Sequence, residues 1–495
     1  MKTRNKVISL LLALLMCAPM IASCSDNSGN SNGTDTTRPP TAEDGDTTVN
    51  ETETGPTSYS ANIPENVKYD GYEFRILTNQ PDGTIWGDVD WNATEMTGEV
   101  INDAVYERSR KVEEQLGVTI VPIPSSDGTA AVRASVLSNE DSYDMTYISI
   151  QNAFNLAADK QLIELNSIPT LQLDQPWWDQ NSVSDLSIGH KNYILTGDIG
   201  SMYKKSIGVI MFNKDILSNY GLQSPYELLS SNEWTIDNMV TMAQQVSQDL
   251  NGDGAFTGDD QYGLIYFCDM MGLAFIGCGV QFVTKNDEDI PEVTFYSDKT
   301  VSIMEKLATL LYNPELSWSW SKNGTGEEPA FAMFQNNQSL FYYGELHAVA
   351  TMRSMDADFG ILPMPLYDNN QESYHHSVNP YVAMSVTVPL TVADTERTGY
   401  VLDALGAESK NLLTPAYYNV TLKGKVSRDE ESSASLDIVL STVRYDLGYI
   451  ANWGMTSIPL SMADSYDLNL TSKWAKSERS VGVSMKRAIK TFTGE

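Results

Sequence analysis

The chain has 495 residues and a formal charge of −33, with 65 acidic side chains against 32 basic ones. That balance excludes nucleic acid and anionic surfaces as partners, since both repel a polyanion. A chain whose folded part runs to about 430 residues is also too long for one hydrophobic core, so at least two lobes are expected.

The N-terminus starts basic, MKTRNK, and continues as the apolar run VISLLLALLMCAPMIAS. The run is shorter than the ~18–20 residues that span a bilayer and is interrupted by Pro19, so residues 1–23 read as an export signal. Ile21-Ala22-Ser23-Cys24 resembles the bacterial lipobox, in which the cysteine after a small pair is lipidated. Two acyl chains on Cys24 suffice for an anchor where one is marginal. An ordinary signal with a chance cysteine is the plainer alternative. Loss of Lys2, Arg4 and Lys6 takes the charge from −33 to −36. Residues 24–62 are Ser-, Thr-, Asn- and Gly-rich and too poor in apolar side chains to offset chain entropy, which makes them a flexible tether.

From there strand and helix alternate. YEFRILTN (Tyr72–Asn79) predicts a strand, Thr97–Gly117 a helix with Val100, Ala104, Val105, Val112 and Leu116 on one face, and VTIVPIP a second strand. Thr129–Leu137 reads as a helix, YDMTYISI as a strand and Asn152–Lys160 as a helix, an order that implies parallel pairing. GVIMFNKDIL predicts a strand running into a helix; Thr235–Val246 a helix; YGLIYF a strand; Val301–Leu311 and Ala330–Gln335 helices; QSLFYY a strand with a helix from Glu345; DFGILPMP a strand; and NPYVAMSVTVP a return strand. The last third reads as helical, over Asp394–Ser409, Asp429–Leu447 and Ser472–Phe492.

DLNGDGAFTGDD, Asp249 to Asp260, has the spacing of a calcium loop: Asp249, Asn251 and Asp253 at positions 1, 3 and 5, Gly254 at 6, the Ala255 carbonyl at 7 and Asp260 at 12. A single loop followed by a strand suits a structural Ca2+ clip rather than a sensor; an acidic surface turn is the alternative. Cys268 and Cys278 sit in the apolar FCDMMGLAFIGCG, where two buried thiols are the simpler reading and a disulfide remains open. The four histidines show no zinc or triad spacing.

The order of these parts, from lipobox and tether through GVIMFNKDIL, EWT, DLNGDG and FGILPMP to a helical C-terminus, resembles the family 1 extracellular solute-binding proteins, the receptors of ABC importers. The resemblance implies an α/β, two-lobed periplasmic-binding-protein-like fold of type II, with discontinuous lobes joined by a hinge and a cleft between them. It places an N-lobe at 63–205 with about 381–430 returning to it, a C-lobe at 213–380 with about 431–495, and hinge segments near 206–212 and 381–388. It implies a small-molecule or oligosaccharide ligand, ABC permease subunits as partners, a monomer, and a place at the extracytoplasmic face of the cell membrane, held by the lipid alone.

A sugar site wants aromatic planes with carboxylates and amides around them. Trp86 and Trp91 lie in the connection after the first strand, Trp318 and Trp320 alternate in ELSWSWSK, Trp453 follows a helix, Tyr343 and Glu345 end a strand, and Asp198 sits at another strand-to-loop junction. Each tryptophan is alternatively a core packer, and each acid a cap or surface charge. Trp177, Trp178 and Trp234 read as packers. Two other functions compete: a surface glycan-capture lipoprotein without an importer, and a surface glycosidase, which needs two carboxylates about the scissile bond. No nucleophile elbow, P-loop or HExxH occurs in the sequence.

Overall fold

The computed structural model describes residues 58–79, 90–352, 355–423, 430–451 and 453–494. Cys24, the tether up to residue 57 and Trp86 lie outside them. The described strands are β1 (Tyr72–Asn79), β2 (Val118–Ser125), β3 (Met145–Ser149), β4 (Gly208–Asn213), β5 (Tyr262–Tyr266), β6 (Val283–Lys285), β7 (Pro291–Val293), β8 (Ser317–Ser319), β9 (Ser339–Glu345), β10 (Phe359–Leu362) and β11 (Met384–Thr387). They sort into a four-stranded sheet of order β11-β3-β1-β2, a five-stranded sheet of order β10-β4-β9-β5-β8, and the hairpin β6–β7.

In the first sheet β1 runs parallel to β2 and β3, with Tyr72 opposite Val118, while β11 returns antiparallel to β3. In the second, β5 is parallel to both β8 and β9, and β4 is antiparallel to β9 and β10. Strands β3, β4, β5 and β9 are buried at every position. This is why they read as unbroken apolar runs: helices or loops cover both faces.

Local signals set the helix ends. The helix Val100–Leu116 starts after Glu99, whose carboxylate accepts the Ile101 and Asn102 amides, and stops at Gly117, whose φ of 66° ends it in a left-handed turn. Its start falls after the expected Thr97, because Asp103 draws the Thr97 and Gly98 amides into a turn of their own. The expected helix Asp429–Leu447 ends at Ser441 instead. Thr442 turns and Val443 pairs with His376, whose N–H donates to the Thr442 carbonyl at 3.1 Å while the Arg444 N–H donates to the His376 carbonyl at 2.9 Å. Two β-branched residues with backbone partners alongside favour strand-like pairing over another helical turn.

Each sheet has its own core. Phe74, Ile76, Met145, Leu195, Val386 and Leu405 belong to the first. Met211, Phe212, Trp234, Tyr262 and Phe341 belong to the second, which continues across to the first lobe through Phe154. The Phe154 ring, on the helix Ile150–Ala158, stacks on Phe492 of the C-terminal helix Leu470–Thr493 at 5.4 Å and meets Trp453 edge-on at 5.6 Å.

The chain passes between the sheets at Ser206–Ile207 and again at Val378–Ala383. These two segments run antiparallel: Ile207 bridges Val378, and the Asn379 N–H donates to the Ser206 carbonyl at 2.9 Å. Cys268 and Cys278 are free, buried thiols, in agreement with the simpler reading of that segment. Among the described residues no helix is long and apolar enough to cross a membrane.

Candidate functional site

Strands β5, β8 and β9 point the same way, and their C-terminal ends open on one cavity of ≈ 330 Å³. Such ends, at a crossing between lobes, are where open α/β sheets receive ligands. Phe267 and Asp269 follow β5, Trp320 follows β8, Tyr343 and Glu345 end β9, and the crossing segment adds Asn379 and Tyr381. The Phe267 and Trp320 rings are stacked, centroids 4.1 Å apart and 19° between planes, each half-buried. Tyr381 is 44 % exposed.

The polar wall is acidic. The Asn379 side-chain Nδ2 donates to Asp269 Oδ2 at 2.9 Å and to Glu345 Oε1 at 3.1 Å. Behind them His347 Nε2 lies 3.0 Å from Glu327 Oε1, and Nδ1 lies 3.8 Å from Glu345 Oε2. Burial, and then the charge of Glu345, push the Asp269 carboxyl up to about 7. Burial also raises the carboxyl of Glu345, against the pull of His347. A buried amide holding two carboxyl groups side by side is suited to bringing both to bear on one donor or cation.

Of the residues singled out in the sequence, Trp320, Tyr343 and Glu345 come together here. The others have different surroundings. Trp91 is buried beneath the Arg108 guanidinium, 4.4 Å from its ring, and meets Tyr147 edge-on. Asp198 is buried between Lys204 (2.6 Å) and Lys410 (2.9 Å), which hold its carboxyl below the usual range against the cost of burial. Trp318 turns away from Trp320 because β8 ends at Ser319, and its ring packs on Tyr262 at 5.6 Å. Trp453 packs on Phe154. Trp177 and Trp178 both donate their indole N–H to Asp403 Oδ1, and Trp234 donates to the Pro363 carbonyl, so all three are packers.

Phe267, Asp269, Asn379 and Tyr381 were not singled out. Asp269 did carry a signal: it is the lone acid in the apolar FCDMMGLAF, where an unexplained charge points to a buried task.

The loop Asp249–Asp260 is closed at its base by paired backbone hydrogen bonds between Gln248 and Gln261. Its carboxylates accept its own amides: Asp249 those of Gly252 and Gly254, Asp253 that of Ala255, and Asp260 those of Leu250 and Thr257. With Asn251 and the Ala255 carbonyl the donor set is all oxygen, which fits a hard cation. Among the described His, Cys, Asp and Glu residues, however, the metal-ligand atoms that gather within 4.8 Å of one another are those of Glu327, Glu345 and His347, not those of the loop.

A second cavity, of ≈ 410 Å³, lies between the β6–β7 hairpin and the turn Arg444–Leu447. Its polar groups are already engaged: Lys285 donates to the Ser184 and Ser187 carbonyls and to Asp289, and Asp446 accepts the Phe282 and Gly448 amides. It offers a ligand little that is unmet.

No protein-family model matches the sequence, and no curated protein matches it. Solved structures do. An ABC substrate-binding protein of Listeria monocytogenes in complex with cycloalternan superposes with a TM-score of 0.51 at 13% identity, covering 86% of this chain and 100% of that one. The UgpB protein of Mycobacterium tuberculosis in complex with glycerophosphocholine gives 0.55 at 13%, covering 85% and 99%. A family 1 extracellular solute-binding protein of Bifidobacterium longum subsp. infantis gives 0.51 at 9%, covering 86% and 100%. The chain has the two-lobed α/β fold of these solute-binding proteins, with a helical C-terminus.

Proposed function

We propose that the protein is an extracytoplasmic receptor that captures a carbohydrate by closing its lobes and delivers it to the permease of an ABC importer. The observation that carries this reading is the aromatic-walled cavity at the ends of β5, β8 and β9, whose remaining wall is the crossing segment itself. A solute held by Phe267, Trp320 and Glu345 also meets Asn379 and Tyr381, so occupancy bears directly on the segment that flexes. A ligand that touches the hinge differently in open and closed states shifts that equilibrium.

The same reading takes Cys24 as the lipid-bearing residue that holds a monomeric receptor at the membrane, with the residues from 24 to 57 as its tether. The expected tether over 24–62 is shortened because Tyr59 exchanges backbone hydrogen bonds with the Asn411 side chain at 2.8 Å and Ala61 is buried against the first core. It takes Asp249, Asn251, Asp253, Ala255 and Asp260 as a calcium clip, on donor chemistry and spacing. The test of the main claim is a thermal-shift screen of the purified protein against mono- and oligosaccharides, followed by scattering of the loaded form. A stabilising saccharide that also compacts the molecule supports it; stabilisation by none removes it.

One observation favours a second reading, a glycosidase: two carboxyl groups in one cavity, Asp269 titrating near 7. Against it, both acids leave the same sheet and hang from the same Asn379 nitrogen, so they stand together rather than on opposite sides of a bond. Release of reducing ends from a bound oligosaccharide, lost in Asp269→Asn, would establish the enzyme instead.

A further inference from the structure

Among the described residues the charged ones on the cavity wall are Asp269, Glu327 and Glu345, and no lysine or arginine lines it. Asp269 and Glu345 are 6 % and 7 % exposed, and their shared protein donor is the neutral Asn379 amide. Two other buried acids are neutralised by cations: Asp198 holds two lysines, and Asp144 receives Arg75 at 2.9 Å and Arg397 at 3.5 Å. The basic group facing these acids is His347, 3.0 Å from Glu327 and 3.8 Å from Glu345, and no ion pair reaches Asp269 among the described residues. A buried carboxylate short of partners is costly, so the acidic wall still has a partner to gain.

A second feature, independent of charge, points the same way. Tyr343 lies two residues before Glu345 on β9, hence on the same face; it is 2 % exposed, and its hydroxyl has no hydrogen-bond partner in the described structure. A cation bound to the carboxylates, with a hydroxyl beside it, would meet both needs at once. The stacked Phe267–Trp320 pair and Tyr381 complete an aromatic rim of the kind that attracts ammonium groups.

We propose that the cavity selects a solute carrying a protonated amine, an amino sugar in preference to its neutral counterpart, with the ammonium group between Asp269 and Glu345. This rests on the cavity being the ligand site of the receptor proposed above. Charge-assisted hydrogen bonds from the ammonium to two carboxylates are about twice as strong as neutral ones, which is what makes the selection steep.

The test is isothermal titration of the purified protein with matched solutes: glucosamine and its β-1,4 dimer, the N-acetylated forms, and glucose and cellobiose. Spermidine, choline chloride and zinc chloride are added as separate arms. The expected result is at least tenfold tighter binding of the amine than of its acetylated or hydroxyl counterpart, with the preference lost in both Glu345→Gln and Asp269→Asn while far-ultraviolet dichroism stays native. Neutral saccharides binding as tightly as the amines would overturn the inference and leave the carbohydrate receptor standing. Spermidine or choline binding where no saccharide does would keep the cation selection and remove the carbohydrate. Saturable zinc binding lost in His347→Gln, with no amine bound, assigns Glu327, Glu345 and His347 to a metal and overturns the proposal. Amine binding unchanged in both carboxylate variants overturns it as well.

Discussion

Asp269 and Glu345 share one donor: the Asn379 side-chain nitrogen gives each a hydrogen bond, at 2.9 and 3.1 Å. The acids belong to the second sheet's C-terminal edge, whereas Asn379 belongs to the segment on which the chain crosses back to the first. A solute that displaces either bond therefore acts on the crossing directly.

The Asp269 carboxyl supplies a pH test. Its value in the folded protein, about 7, exceeds the ~3.9 of an unfolded aspartate, so the folded state holds the extra proton between those limits. Stability contributed by this group is then lost as pH rises through that window, and is flat above it. Asp269→Asn removes that slope. The gain of the variant over the parent should grow from near zero at pH 4 to at most about 4 kcal/mol at pH 8, an upper limit from the size of the shift. Urea melts of both proteins at the two pH values check it; parallel curves would refute it.

Trp320 is half-buried and stacked on Phe267 at the cavity mouth, so Trp320→Ala should weaken ligand binding about tenfold or more while the melting temperature changes little. Trp91→Ala should do the reverse, because Trp91 is 4 % exposed beneath Arg108 and its loss leaves a hole, costing about 3–5 kcal/mol in stability. Paired titrations and denaturant melts separate the two.

Asp198→Asn leaves Lys204 and Lys410 largely buried without their counter-ion. The expected cost is about 3–5 kcal/mol, typical for one partner removed from a buried pair. Ligand affinity of the protein that remains folded should be unchanged. A fall in affinity at constant stability would return Asp198 to the binding site.

For the calcium clip, a site with the ~10⁻⁴–10⁻³ M affinity of extracellular modules should gain about 1.4–2.7 kcal/mol of stability in 10 mM calcium chloride. The gain should vanish in Asp249→Ala and survive in Glu345→Gln. Equal effects of calcium and magnesium on parent and Asp249→Ala alike would reduce the loop to a surface turn.

Much of this fold is legible because its periodicities are one-sided. The helix Val100–Leu116 exposes one face, and its pattern could be read directly. The helix Met270–Gly277 could not, since all eight of its residues are buried and no polar stripe betrays its period. It is also the helix that opens next to Asp269. Trp320 and Trp318 show the same limit at the site. Alternation suggested that both rings face one way, but β8 lasts only to Ser319, and the turn that follows parts them. Asn379 carried no local signal at all; its role comes from two acids that lie 110 and 34 residues away in sequence.

The aromatic contact between Phe154, Trp453 and Phe492 joins the lobes through a continuous apolar core, and that restricts how they can part. Wedging it open would expose large rings to water at both ends of the stroke. In the receptor proposed above it would serve as a fulcrum: closure on a solute would move the mouth beside Tyr381 and leave the rear shut around a fixed greasy pivot.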